Sequence, residues 1–347
     1  MNARVAVIGY ADDVWDAGDG SNDAERLAPV TERALAMAGI SRTQVSVVCT
    51  AGYEFGSGVI GSMMDVLDVQ PCWPPVTHTH LEGDGGFALC EAWVRLLADE
   101  AEIALVSAFS RPAAADLARV LALQLDPYLV TPLRPDAHQI AALQARAMLE
   151  TGRYTEPDFA AVVCARRGEL SVEQVLAAPY LASPLREPDC STTSRGGVAT
   201  AVLAVEGPAT RAVARPAWIT GLDHRVESGA LGLRDLATSA STRAAAEHLG
   251  LPGTTIDVLE LHAPYSHQEL LLIDAIAAAE IGVVNPSGGV LPADPLGVSG
   301  LMRIGAAATA VLRGEADRAV GHASNGPALQ HNLLCTLAAR TRPDGRP

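Results

Sequence analysis

There is no lysine in the sequence, and all 25 basic residues are arginine. That absence excludes a lysine Schiff base, a pyridoxal enzyme of the usual kind, and the phosphate-binding lysine of a Walker-type loop. Aromatic residues are also scarce, at 4% against 49% hydrophobic residues overall, so the core must be built from Ala, Val and Leu. No apolar run reaches the roughly 18 residues needed to cross a bilayer. No two of the 6 cysteines form a CxxC pair, which argues against a zinc ribbon. The opening stretch MNARVAVIGY lacks the basic start and long apolar run of a secretory signal. The expected location is therefore cytoplasmic, with reduced and mostly buried thiols.

What the chain does have is 347 residues, more than one typical domain, which predicts two domains or one domain built from two halves. Its net charge of -15 argues against nucleic acid or an anionic membrane as the main partner. Val5–Gly9 reads as a buried strand, Ala28–Gly39 as a helix stopped by glycine, and Gln44–Thr50 as a second strand. Phe87–Asp99 reads as a strong helix and Ile103–Ser107 as a third strand, so a parallel sheet covered by helices is expected. A related pattern returns in Val198–Glu206, Ser239–Leu249, Ile256–Leu261, Gly300–Leu312 and Arg318–His322. The stretch from Pro112 to Asp189 breaks it, with separate helices such as Ala137–Thr151, and reads as an inserted loop region over the site. The expected units are residues 1–111, an insert at 112–190, and 191–347, with Thr341–Pro347 as a frayed tail.

Several segments together carry a likeness. Leu259–Leu270 (LELHAPYSHQEL) is similar to a "vEvHDcFs-xEL" motif, and Asn285–Ile304 (NPSGGVLPADPLGVSGLMRI) to "NPSGGLxxxGHPxGATGxxxI". Ala28–Ala51, Ser194–Ala204, Trp218–Asp223 and Gln330–Asn332 add weaker matches. On these segments, which span nearly the whole chain, it resembles the thiolase superfamily, in its sterol-carrier or lipid-transfer branch. The resemblance implies a thiolase fold, an α/β architecture of two similar halves layered αβαβα. It implies a coenzyme A thioester as substrate and no separate cofactor. It implies a homodimer, or a heterodimer with a second thiolase-like chain, joined at an edge strand near Pro75–His80. A small zinc-ribbon and OB-fold protein is a further partner of that branch.

The family's chemistry uses a helix-mouth cysteine as nucleophile, a histidine to activate it, a second cysteine to move a proton, and an oxyanion hole. This sequence departs at those positions. Glu82 stands where the nucleophile belongs, Asp294 replaces the histidine of GHP, and Pro264 replaces the second cysteine, while His262 remains. Cys90 lies two helical turns past Glu82 and belongs to the helix body. A carboxylate cannot replace a thiolate in thioester exchange, so no thiolytic activity is expected.

Glu82, Asp84, His262, Tyr265 and Asp294 are expected to converge. They make either a rebuilt acid–base site, in which two carboxylates beside a histidine divide the work, or a decayed pocket filled by hydrogen-bonded polar groups. Gly288 and Gly289 are expected to shape the pocket, and His322 and Asn325 to lie in a ligand-collecting loop at a strand end. His78 and His80 share one face of a strand; polar contacts at a subunit interface are expected of them rather than a metal. Arg111, Arg134, Arg166 and Arg167 are candidates for the coenzyme A phosphates, weighed against plain solvation. The leading expectation is a non-thiolytic, thiolase-like component of an acyl-CoA processing system. The alternatives are a carbon–carbon lyase acting on a bulky β-hydroxyacyl-CoA, and a structural or lipid-carrier subunit without turnover.

Overall fold

The computed structural model describes residues 4–16, 22–54, 69–111, 121–123 and 125–340. The start of the expected insert, 112–120, and the tail 341–347 lie outside the described residues.

The chain opens with β1 (Val5–Asp16), whose first six residues are all buried. Helix α1 (Asp23–Ala38) starts at a capping box between Asn22 and Glu25 and stops at Gly39 in the left-handed conformation. Its buried stripe of Leu27, Val30, Ala34, Leu35 and Ala38 faces β1 so closely that a Cβ on Gly9 would sit 2.3 Å from the Ala34 carbonyl oxygen. Strand β2 (Val47–Gly52), edge strand β3 (Thr77–Glu82), helix α2 (Gly85–Leu97) and strand β4 (Ile103–Ser110) follow. The intervening region holds α3 (Ala137–Glu150), α4 (Glu156–Arg167), α5 (Val172–Ala177) and a small hairpin, β5 (Tyr180–Ala182) with β6 (Leu185–Arg186). Then come β7 (Arg195–Val205), α6 (Glu206–Ala212), β8 (Ala217–Val226), α7 (Ala240–His248) and β9 (Thr255–Glu260). The chain continues through α8 (Ser266–Ile276), β10 (Glu280–Val284), α9 (Ser299–Leu312), β11 (Arg318–Asn325) and β12 (His331–Ala338).

All strands except the small hairpin join one sheet in the order β10-β9-β11-β12-β8-β1-β7-β4-β2-β3. That order contains one arrangement twice. β3-β2-β4-β7-β1 repeats as β10-β9-β11-β12-β8, each with three parallel strands followed by two antiparallel ones. The halves meet where Ala6 and Val7 pair with Trp218 and Ala217. Val198–Glu206, expected in the unit 191–347, falls mostly within β7, which lies between β1 and β4. Its nine central residues are buried, so an antiparallel slot enclosed on both faces is its stable position.

The strands' two faces go to different cores. Val5 and Val7 point to the core shared by α2, α9 and both halves of the sheet, whereas Ala6 and Ile8 point outward to α1. On the far side, Leu259 and Leu261 pack with Ala245 of α7 and Leu272 of α8. The layers therefore run helix, sheet, helix, sheet, helix. The two inner helices start side by side, and a Cβ on Gly300 would lie 2.2 Å from the Asp84 Oδ1, so only glycine lets them meet.

Candidate active site

Parallel strands end at a crevice, and here the chain leaving β9 supplies His262 and Tyr265 while the end of β11 supplies Ser324 and Asn325. The mouths of the two inner helices add a carboxylate each. Asp84 is the N-cap of α2 and accepts from Gly86 N at 2.7 Å and from Gly300 N, in the first turn of α9, at 2.8 Å. Asp294, in the loop before α9, accepts from Ser299 Oγ at 2.6 Å and Ser191 Oγ at 3.3 Å. These groups line a cleft of about 290 Å³. Its other wall comes from α3 and from Leu121, Ala122 and Leu125, with Ile140 and Ala141 among the further apolar contributors.

Asp84, His262 and Asp294 are all buried. Ser324 N donates to His262 Nδ1 at 3.2 Å, which leaves the ring proton on Nε2. Nε2 lies 3.3 Å from Asp294 Oδ1 but out of line for a hydrogen bond, so this N–H has no aligned partner among the described residues. Burial alone would lower the pKa of His262; the Asp294 and Asp84 carboxylates outweigh it and raise the pKa. The magnitudes agree with that order. A unit charge about 4 Å away contributes about 4 kcal/mol at an effective dielectric of about 20, against about 1 kcal/mol for the Ser324 hydrogen bond that opposes a second ring proton.

The two carboxylates are pushed in opposite directions. Burial raises the pKa of Asp84, only partly offset by His262 and its backbone donors. Asp294 is equally buried, but the adjacent His262 and the two serine hydroxyls bring its pKa below the usual carboxylate range. Burial also raises the pKa of Tyr265 far above its ordinary value, so its phenol keeps its proton; its hydroxyl lies 3.4 Å from His138 Nδ1 on α3.

Of the residues singled out in the sequence, Asp84, His262, Tyr265, Asp294 and Asn325 line the cleft. Glu82 does not: it sits at the exposed end of β3 and accepts from Glu54 N at 3.2 Å. Gly83 turns the chain with a φ of 131°, so the helix begins two residues later and Asp84 occupies its mouth. Gly288 and Gly289 also lie outside the lining, in a turn braced by Ser287 N and Oγ donating to Glu260. His322 is buried behind the cleft, where Nε2 bonds Asn332 at 3.0 Å and burial pushes its pKa down to about 3. His78 and His80 both bond the Thr50 hydroxyl, at 3.0 and 2.9 Å. Arg166 is bound to Glu269 and the Asn285 carbonyl, Arg167 to the Cys190 and Leu291 carbonyls, and Arg111 pairs with Asp23, whereas Arg134 is exposed and precedes Pro135 of the cleft lining.

No cysteine is among the residues lining the cleft. Burial pushes the thiol of Cys90 up to about 11 and those of Cys49 and Cys190 up to about 12, the reverse of what a thiolate nucleophile needs. Sequence reasoning missed Ser324, whose backbone fixes the His262 tautomer, and Gln268, which also lines the cleft. The former had no sequence signal; the latter sits among the polar residues that open its helix, with nothing to single it out.

No family model matches the chain, and no curated protein sequence does either. Among solved structures it is similar to an aldolase described as Ltp2-ChsH2(DUF35), with a TM-score of 0.75 over 97% of this chain and 98% of that one. Identity is 16%, so the likeness is one of fold.

Proposed function

We propose that the protein is a carbon–carbon lyase that splits a bulky β-hydroxyacyl-CoA by a retro-aldol reaction, on a thiolase-type fold whose thiol chemistry has been replaced. The observation that carries this reading is that two buried carboxylates, Asp84 and Asp294, line one cleft with His262, and their surroundings push them in opposite directions. Two carboxyl groups driven apart by their surroundings divide proton transfer from charge stabilisation. The strand order repeated in both halves supports the thiolase fold, and the name of the structural neighbour, an aldolase, favours the lyase over a chain without turnover.

In the proposed reaction Asp84, when ionised, takes the proton of the β-hydroxyl. The Cα–Cβ bond breaks, its electron pair moves to the α-carbon, and the β-carbon becomes an aldehyde or ketone. The resulting thioester enolate carries its negative charge on oxygen, where the free Nε2–H of His262 donates a hydrogen bond. Asp294, 3.3 Å from Nε2, holds that imidazole in place. The proton returned by Asp84 quenches the α-carbon, so the products are a carbonyl compound and a shortened acyl-CoA. No nucleophile, oxidant or cofactor enters the balance. Tyr265 borders the reacting atoms as a neutral hydrogen-bond donor.

The thioester is placed with its acyl end against the apolar wall of α3. Arg134 is the candidate for the nucleotide phosphates. The exposed edge of β3 is suited to pairing with a second copy or with another thiolase-like chain. The two components in the neighbour's name favour a further partner, for which the zinc-ribbon and OB-fold class remains the proposal. Incubation with a β-hydroxyacyl-CoA, followed by mass spectrometry, tests the reaction. The expected result is carbonyl product and shortened acyl-CoA without added coenzyme A, reduced roughly 10²–10³-fold by His262→Ala. An intact substrate after exhaustive incubation with the purified protein, alone and with its co-purifying partners, refutes it.

A further inference from the structure

One cleft-lining residue that the reaction does not use carries a buried polar atom without a partner among the described residues. Gln268, in the first turn of α8, lines the cleft, is 2% exposed, and its Oε1 has no partner. Its orientation follows from a chain of hydrogen bonds that starts at a backbone carbonyl. Ala328 O can only accept, so the Gln144 group 3.4 Å away is the amide nitrogen. Gln144 Oε1 then faces His267 Nε2 at 3.2 Å and the Gln268 amide at 2.9 Å, and both must donate to it. Gln268 therefore presents Nε2 to Gln144 and keeps Oε1 as a bare acceptor. His267 fits the same scheme: burial lowers its pKa to about 3, leaving it neutral with the proton on Nε2. Among the described residues Oε1 has no donor, and the cleft that Gln268 lines includes the apolar Leu121, Leu125, Ile140, Ala141 and Leu329.

A buried acceptor without a donor costs free energy that a ligand donor recovers. We infer that Gln268 is a specificity-determining residue, and that the acyl group of the substrate carries a hydroxyl beyond its reacting carbons which donates to Gln268 Oε1. The substrate class is thereby narrowed from bulky β-hydroxyacyl thioesters to those with a second, distal hydroxyl on a ring or chain. This rests on the proposed thioester substrate. A ligand without that hydroxyl leaves the amide oxygen desolvated and unpaired, which discriminates more strongly than apolar contact does.

The test uses thioesters that lack a β-hydroxyl and so bind without being cleaved. Dissociation constants are measured by titration calorimetry for 3-phenylpropionyl-CoA and its ortho-, meta- and para-hydroxyphenyl analogues with the full-length protein. At least one hydroxylated analogue should bind about tenfold tighter than the parent, and in Gln268→Met that ratio should fall to about one. The wild-type comparison stands by itself if the variant fails to fold. Equal binding of all four thioesters by the wild type overturns this inference and leaves the lyase reading standing. Binding of none overturns the thioester substrate, and the inference falls with it. A preference that survives Gln268→Met shows that another group reads the hydroxyl.

Discussion

The two halves repeat the same strand order, and each sends one helix into the shared core, yet they contribute unequally to the site. Each inner helix has a carboxylate at its mouth, Asp84 at α2 and Asp294 just before α9. Only the second half provides a histidine there, because the chain leaving β9 delivers His262, whereas the chain leaving β2 delivers Tyr53 and Glu54. His262 lowers the pKa of both similarly buried acids, but Asp294, 3.3 Å from it, falls below the ordinary range, whereas burial of Asp84 outweighs His262 and the backbone donors. The repeated strand order thus surrounds two similarly buried carboxylates with unequal environments.

Breaking the first half's member of the pair gives the largest effect. Asp84→Asn keeps the acceptor for Gly86 or Gly300 but cannot take a proton, so kcat should fall roughly 10²–10⁴-fold with little change in KM; steady-state assays of carbonyl product check this.

Breaking the second half's member acts on stability. Asp294→Asn leaves His262 without its buried counter-charge and should cost about 3–5 kcal/mol in chemical denaturation. The effect depends on pH. The raised pKa of His262 contributes stability that is full below the unfolded imidazole value of about 6.5 and is lost as pH rises through the folded value. The lowered pKa of Asp294 contributes stability that is full above the unfolded carboxylate value of about 3.9 and is lost as pH falls through the folded one. The difference between wild type and Asp294→Asn should therefore be greatest at about pH 4–6.5 and shrink on either side.

Tyr265→Phe sharpens the comparison by removing a neutral donor without touching either acid. A loss of about tenfold in kcat/KM is expected, the size of one hydrogen bond, with the pH profile unmoved. Glu82→Gln should do least. Its carboxylate lies outside the cleft, so stability should shift by no more than about 0.5 kcal/mol and turnover by less than about threefold.

Much of this architecture was legible in the sequence, because apolar runs and glycine stops mark where elements begin and end. The helices at Ala28–Gly39, Phe87–Asp99 and Gly300–Leu312 and the strands at Ile103–Ser107 and Ile256–Leu261 all have close counterparts. An apolar run does not say which sheet receives it, and β7 went to the first half although it lies late in the chain. Of the residues expected to converge, Asp84, His262, Tyr265 and Asp294 line one cleft and Glu82 does not. Motif spacing put Glu82 at the helix mouth, but spacing carries no backbone angle, and the turn at Gly83 brings Asp84 there instead. Gly288 and Gly289 were recognisable as turn formers, but the wall they belong to depended on Glu260 and Arg303, remote in sequence.

The central claim is the opposite displacement of two carboxyl groups, and carbon-13 NMR titration of protein labelled at the aspartate side-chain carboxyls measures it directly. With Asp84→Asn and Asp294→Asn providing the assignments, the account predicts that Asp84 titrates above the ordinary value of about 3.9 and Asp294 below it. Two displacements of the same sign, or the reverse order, would contradict it.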